Sequence, residues 1–277
     1  MGPRVTQASS PPRPTIARRS PLRVVCGIDA SSADRAAVRE ACRLAGPRGH
    51  VALVCIVTTG SLRSIASAPA TVALERAMKQ ARSAGVRSSA YLVRNAHAIE
   101  GLLGAGATGD ALVVGTHGHG RAAGIALGGV ATHALHRATV PVLVARPPRD
   151  EAADSILLAT DGSPSSSSAC ELAGRIAGAG GAVVTMFTAG EAVGGRSRHA
   201  LAEQAVALTE ATGSEPIATS GPGEPVGAIV AAALSSGCSL LVLGSGGRTG
   251  VRALGSVSER VAHRAPCSVL VARPRTG

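Results

Sequence analysis

Aromatic side chains are almost missing from this chain: it has no Trp, and Tyr91 and Phe187 are its only Tyr and Phe. Proteins that hold nucleic-acid bases by stacking need several rings on one surface, so a stacking platform is excluded and nucleic acid is not an expected partner. Lysine is nearly as scarce. Lys79, the single lysine, follows Met78 rather than Gly, so the Gly-Lys-Ser/Thr core of a P-loop is absent and P-loop hydrolysis with it. The six cysteines (Cys26, Cys42, Cys55, Cys170, Cys238, Cys267) include no C-x-x-C pair; the pattern reads as small buried hydrophobes in a reducing cytosol. No apolar run approaches the ~20 residues that span a bilayer. Residues 1–20 carry four arginines but no apolar segment of the secretory type, and read as a disordered tail. The expected location is cytoplasmic, with no membrane partner.

What the chain has is repetition. Val24–Asp29 (VVCGID) returns as Ile156–Asp161 (ILLATD), Leu112–Gly118 (LVVGTHG) as Leu241–Gly247 (LVLGSGG), and Val142–Pro147 (VLVARP) as Val269–Pro274. Three landmarks in one order, at offsets of 132, 129 and 127 residues, indicate duplication of a whole domain rather than a short solenoid repeat. The resulting division is a tail at 1–20, one domain at 21–147, a Pro-rich linker at 148–152 and a second domain at 153–277. The net charge of +11 belongs to the tail and first half: residues 21–147 hold 14 basic and 6 acidic groups, residues 148–277 hold 10 and 11. Arg-rich composition accounts for it as well as attraction to an anionic partner does.

Short aliphatic runs alternate with Ala-rich helical stretches, the pattern of β-α units. The first half reads as strands near 23–28, 51–57, 88–93, 111–115 and 140–145, with helices near 33–45, 71–84, 97–107 and 129–137. The second reads as strands near 155–160, 182–187, 215–219, 239–243 and 268–272, with helices near 165–178, 197–212, 225–236 and 256–264. Runs such as Ile156-Leu157-Leu158-Ala159 are apolar on both faces, as strands of a helix-covered parallel sheet must be. The expected class is α/β: two tandem doubly wound domains, each a five-stranded parallel sheet of order 3-2-1-4-5 flanked by four helices. Ligands of such sheets collect beyond the strand C-termini where the winding reverses.

Two places in each half lie there. After strand one come Asp29-Ala30-Ser31 and Asp161-Gly162-Ser163; each Asp can accept from a ligand hydroxyl or amine, or cap the following helix. After strand four come Gly115 to Leu135 and Gly244 to Ala262, rich in glycine and running into a helix start, a combination suited to cradling phosphate on backbone amides. A flexible loop without a ligand is the alternative. His117 and His119 are an i, i+2 pair without a Cys or carboxylate nearby, a weak metal signal. His133 and His136 share a helix face but have no acidic partner in sequence. Gly-x-Ser-x-Gly is absent and Ser163 has no evident base. No enzyme is read from the chain.

Both halves resemble universal stress protein domains, whose nucleotide-binding members carry an Asp after strand one and a G-x2-G-x9-G-[ST] loop after strand four. The first half supplies Asp29, Gly115, Gly118 and Gly128 at that spacing, with Gly129 in the hydroxyl position. The second supplies Asp161, Gly244, Gly247, Gly255 and Ser256, with the loop two residues shorter. The resemblance implies that Asp contacts adenosine, the residues ending strand four lie beside the nucleotide, and loop amides and hydroxyl hold phosphates. Those roles fall on Asp29, Ile56, Val114, Gly115, Gly118, Gly128 and Val130. In the second half they fall on Asp161, Leu243, Gly244, Gly247, Gly255, Ser256 and Val257, with Phe187 or Thr188 in the place of Ile56.

The resemblance thus implies a stress-response regulator that binds ATP or a related adenine nucleotide, with or without magnesium, and hydrolyses it little or not at all. Since some family members bind no ATP, it also allows a nucleotide-independent module whose partner is another protein. The edge strands Val142–Arg146 and Val269–Arg273 are expected to pair, either within the chain as a pseudo-dimer or between two copies as a homodimer.

Overall fold

The computed structural model describes residues 21–57, 67–94, 97–117, 127–148, 154–190, 195–246 and 254–274. The tail, most of the linker, and Gly118, His119 and Gly247 lie outside them.

The first half runs β1 (Arg23–Ile28), α1 (Asp34–Ala45), β2 (His50–Val57), α2 (Ser67–Ser83), β3 (Arg87–Arg94), α3 (Ala98–Gly106), β4 (Ala111–Gly115), α4 (Gly129–Arg137), β5 (Val142–Ala145). The second runs β6 (Ser155–Ala159), α5 (Pro164–Gly180), β7 (Val183–Ala189), α6 (Gly195–Thr212), β8 (Ile217–Gly221), α7 (Pro225–Ser236), β9 (Leu240–Gly244), α8 (Ser256–Arg264), β10 (Ser268–Ala272). Every expected element is present. The largest displacement is α2, which starts four residues earlier than expected, at Ser67; β8 starts two residues late because Pro216 has no N–H to give the ladder and Ile217 is the first residue paired, with Thr185.

Each half has the strand order 3-2-1-4-5, and the two join into one ten-stranded sheet, β3-β2-β1-β4-β5-β10-β9-β6-β7-β8. All neighbours are parallel except β5 and β10, which run antiparallel with Val144 opposite Val269, Leu143 opposite Leu270 and Val142 opposite Val271. This is the intrachain pairing. The homodimer through the same edges is corrected: β5 already pairs β4, and β10 already pairs β9, so neither strand keeps an unpaired edge for a second copy.

The alternation of each strand divides the core in two. Val24, Cys26 and Ile28 join α1, α2 and α5 on one face of the sheet; Val25, Ala52 and Val54 join α3, α4, α7 and α8 on the other. Both cores cross the seam without interruption, the first through Leu143 and Leu270, the second through Val142, Val144, Val269 and Val271. The seam is pseudo-two-fold. Arg146 donates to the Ala262 carbonyl of α8 at 2.7 Å, and its repeat equivalent Arg273 donates to the Leu135 carbonyl of α4, so each VLVAR arginine binds carbonyls near the end of the other half's fourth helix, where a cation is favoured. His136 is also corrected here: its Nε2 lies 2.9 Å from Oε1 of Glu259, an acidic partner brought from 123 residues away by the seam. His133 hydrogen-bonds the Gly129 carbonyl one turn back at 2.7 Å.

Candidate functional site

The winding reverses between β1 and β4, which are paired through Cys26 and Val113, and again between β6 and β9, paired through Ala159 and Leu243. The turns after these strands therefore lie side by side at two places, and described residues read from sequence stand on them. In the first, Asp29 follows β1 while Val114 and Gly115 end β4; Gly128 caps α4 and Val130 lies in its first turn. In the second, Asp161 follows β6, Leu243 and Gly244 end β9, and Gly255 caps α8 ahead of Ser256 and Val257.

Neither Asp caps a helix. Asp29 Oδ1 accepts the amide of Ser31 at 2.9 Å, and Asp161 Oδ1 accepts that of Ser163 at 3.0 Å, the same Asx turn in both halves. The cap of α5 is Ser163, whose hydroxyl accepts from the Ser166 amide; Ala33 precedes α1 with no side-chain cap. The turn bends the chain through a left-handed residue, Ala30 at φ 62° and Gly162 at φ 73°. Glycine takes that conformation freely, whereas alanine is strained by about 1–2 kcal/mol. Ala30→Gly is expected to stabilise the protein by up to about 1 kcal/mol after the greater chain entropy of glycine is subtracted, and Gly162→Ala to destabilise it by a similar amount; urea midpoints at constant slope measure both.

The strand-ending glycines are close-approach positions. A Cβ at Gly115 would stand 2.8 Å from the Ala33 Cβ, and one at Gly244 2.6 Å from the Ser165 carbonyl oxygen, so each lets the N-terminus of α1 or α5 close over the sheet. Past them, the Gly128 amide donates to the Thr116 carbonyl at 2.7 Å and the Gly255 amide to the Ser245 carbonyl at 2.6 Å. These two glycines aim their helices with amides spent inside the chain, which corrects the expectation that they offer N–H groups to phosphate. The first intrahelical bonds are Thr132 to Gly128 and Glu259 to Gly255, so the amides of 129–131 and 256–258 have no carbonyl partner within their own helices, at the positive helix ends.

The halves differ in what stands behind the Asp. In the first, the Asp29 amide donates to Asp34 Oδ1 at 3.0 Å, and burial, with Asp29 beside it, pushes the Asp34 carboxyl up to about 7. In the second, position 34 is matched by Ser166, within a buried network: Thr160 Oγ donates to Gln204 Oε1 at 2.7 Å, and Gln204 Nε2 donates to Ser166 Oγ at 3.1 Å. Sequence reasoning missed both sets, since Asp34 reads as an ordinary first-turn acid and Gln204 lies on a distant helix. Ile56 is half-buried against the α3-side core, and Ala189 holds the corresponding place in the second half. Register decides between Phe187 and Thr188 in favour of neither: Ile28 pairs with Cys55 and Ala159 with Phe187, which puts Ala189 where Ile56 stands. Phe187 is buried beneath it, and Thr188 points to the other face. Period-2 alternation along β2 and β7 carries that signal.

The model of the universal stress protein family matches residues 22–146 and 153–273. The chain belongs to that family, as two tandem copies of its domain. A universal stress protein from Archaeoglobus fulgidus has the same fold with a TM-score of 0.70 at 20% identity, covering 91% of this chain and 96% of that one. A putative universal stress protein from Pseudomonas aeruginosa gives 0.66 at 18%, covering 91% and 93%. A universal stress protein solved in complex with cAMP is 28% identical over 44% of this chain and 98% of that one, with a TM-score of 0.38. A search of curated proteins returned no match.

Proposed function

We propose that the chain is a stress-response regulator that binds an adenine nucleotide, ATP in the first instance, holding it rather than hydrolysing it, with the second half as the stronger site. The observation that carries this reading is the recurrence, at both winding reversals, of an Asx-turn carboxylate after the first strand and a close-approach glycine ending the fourth, which leads on to a glycine-capped helix start. A nucleotide spans such a crevice with adenosine at the Asp and phosphates at the amides. Each carboxylate commits one oxygen to its turn, which fixes its direction; Asp161 keeps the other to accept from ribose, whereas the Asp29 side chain also hydrogen-bonds that of Asp34. The second half adds the exposed hydroxyl residue Ser256 at the first position of α8. In the first half Gly129 stands there, and Asp34 crowds Asp29.

Gly129 is exposed, and a Cβ built on it meets nothing within 4 Å, so a hydroxyl can be restored without displacing anything. Gly129→Ser is expected to raise ATP affinity of the first half by one hydrogen bond, about 0.5–1.5 kcal/mol or ~2- to 12-fold. Asp161→Asn, which keeps an oxygen for the Asx turn, is expected to weaken the second. Calorimetric titration with ATP, with and without magnesium, reads both, and phosphate release measured alongside reads hydrolysis. Heat of binding absent from the parent protein and from Gly129→Ser alike would refute nucleotide binding and leave the protein-interaction module of the same fold.

A further inference from the structure

Four of the six cysteines behave as buried hydrophobes. Burial pushes Cys42 and Cys55 up to about 11 and raises Cys26 well above the ordinary thiol range, and Cys170 is buried beside α6, its sulfur donating to the Gln204 carbonyl at 3.5 Å. The remaining two face each other. Cys238 leaves the left-handed Gly237 that ends α7 and stands just before β9; Cys267 stands just before β10. Because Leu240 pairs with Ser268, the two cysteines sit diagonally at the starts of adjacent parallel strands, and their sulfurs lie 3.5 Å apart.

Both cysteines are buried. Both line a cavity of about 460 Å³ between the halves, whose far wall is Arg39, Glu40 and Arg43 of α1 with Arg146 of the seam. Arg146 donates to the Cys267 carbonyl at 3.3 Å; the hydrogen bond with Cys238, and then burial, hold the Cys267 thiol well above the ordinary range, and the Arg146 charge offsets them only in part. The hydrogen bond from Cys267 lowers Cys238 below the usual thiol range, against the effect of burial. An oxidant small enough to enter the cavity thus meets two apposed cysteines, and apposed thiols close to a disulfide once one of them is oxidised.

We propose that Cys238 and Cys267 form a hydroperoxide-reactive dithiol that closes to a disulfide across the starts of β9 and β10. The Cys238 thiolate attacks the distal peroxide oxygen: an S–O bond forms, the O–O bond breaks, and the departing alkoxide takes a proton to leave as alcohol, or as water when the oxidant is hydrogen peroxide. The Cys267 thiol then attacks the Cys238 sulfenic acid, giving up its proton as it does so. The S–S bond forms, the S–O bond breaks, and hydroxide leaves with a proton as water. Two thiols lose two electrons and two protons, and one hydroperoxide gains them; a dithiol reductant reverses the change. The bond ties β9 to β10, the strand that carries the second half's share of the seam.

The full chain is exposed to a small excess of hydrogen peroxide, unfolded, alkylated and digested with trypsin, which separates the two cysteines at Arg248 and Arg264. The expected product joins the peptides of Cys238 and Cys267, with both cysteines protected from alkylation and restored by dithiothreitol. In Cys267→Ser the link is lost and a sulfenic acid trapped by dimedone accumulates at Cys238. Thermal unfolding supplies a second readout: oxidation raises the midpoint of the parent protein and leaves that of Cys267→Ser unchanged. Full alkylation of both cysteines after peroxide, or oxidation spread equally over Cys42 and Cys55, would overturn the proposal. Neither result bears on nucleotide binding, since the cavity and the crevices are built from different residues.

Discussion

Leu270→Asp is expected to unfold the whole chain, not its second half alone. Leu270 is fully buried at the centre of β10, with Leu143 of β5 on one side and Val242 of β9 on the other. Truncating a core leucine alone costs about 2–5 kcal/mol, and an unpaired carboxylate at a dry position adds several more. Together these rival the ~5–15 kcal/mol by which a domain is stable. The loss spreads because Leu143 and Leu270 belong to one core that runs from α1 and α2 to α5. When β10 leaves, β5 exposes a long apolar edge, and Arg146 and Arg273 lose the carbonyls they bind across the seam. Hydrogen exchange read by mass spectrometry should show protection falling in β1 and β4 together with β6 and β9. The control Leu270→Val keeps an apolar residue at the seam and should leave both halves protected. Protection retained in the first half of Leu270→Asp would mean that each half folds on its own and the seam is incidental.

The elements were legible because an α/β duplication writes them twice: an ambiguous run in one half is settled by its partner, and a strand buried on both faces is a continuous aliphatic run. That same continuity hid the register at the end of β7. With Phe187, Thr188 and Ala189 all compatible with a buried strand, no alternation in the sequence selects the residue matching Ile56, and pairing with β6 was needed to do so. The carboxylates were legible in position but not in task, since an Asp at a β-α turn can cap a helix, bind a ligand or close an Asx turn with the same neighbours. The strained Ala30 was visible only as a departure from Gly162. Contacts across the seam were beyond reach: His136 with Glu259, and the reciprocal arginines, depend on how the halves dock. So were the apposed thiols of Cys238 and Cys267. A reading based on C-x-x-C spacing sees residues adjacent along the chain, whereas this pair is 29 residues apart and brought together by the register of β9 on β10.

Raising the pH from 4 to 8 is expected to weaken the parent protein relative to Asp34→Asn. Asp34 is partly buried at the start of α1, with the Asp29 carboxyl as its nearest charge and the thiols of Cys26 and Cys55 close behind; burial, first, and Asp29 push its carboxyl from 3.8 up to about 7. Below pH ~4 the folded and unfolded chains both hold the proton. Between there and about 7 the unfolded chain releases it while the folded chain keeps it, so folding binds a proton and stability falls as pH rises. Above that range both forms are ionised and the loss is complete, on the order of 4 kcal/mol for a displacement of this size. Asparagine keeps an oxygen to accept the Asp29 amide but cannot ionise, so the variant lacks this slope while sharing every other titration of the chain. Subtracting the two urea-denaturation profiles isolates Asp34, and a flat difference would show the carboxyl ionised throughout. The same proton bears on the crevice: while it stays, the Asp29–Asp34 pair carries one negative charge, and when it leaves the pair carries two beside the amides of 129–131. An anionic ligand of the first half should therefore bind less tightly above pH ~7 than below it, whereas the second half, with Ser166 in place of Asp34, should hold its affinity across the same range.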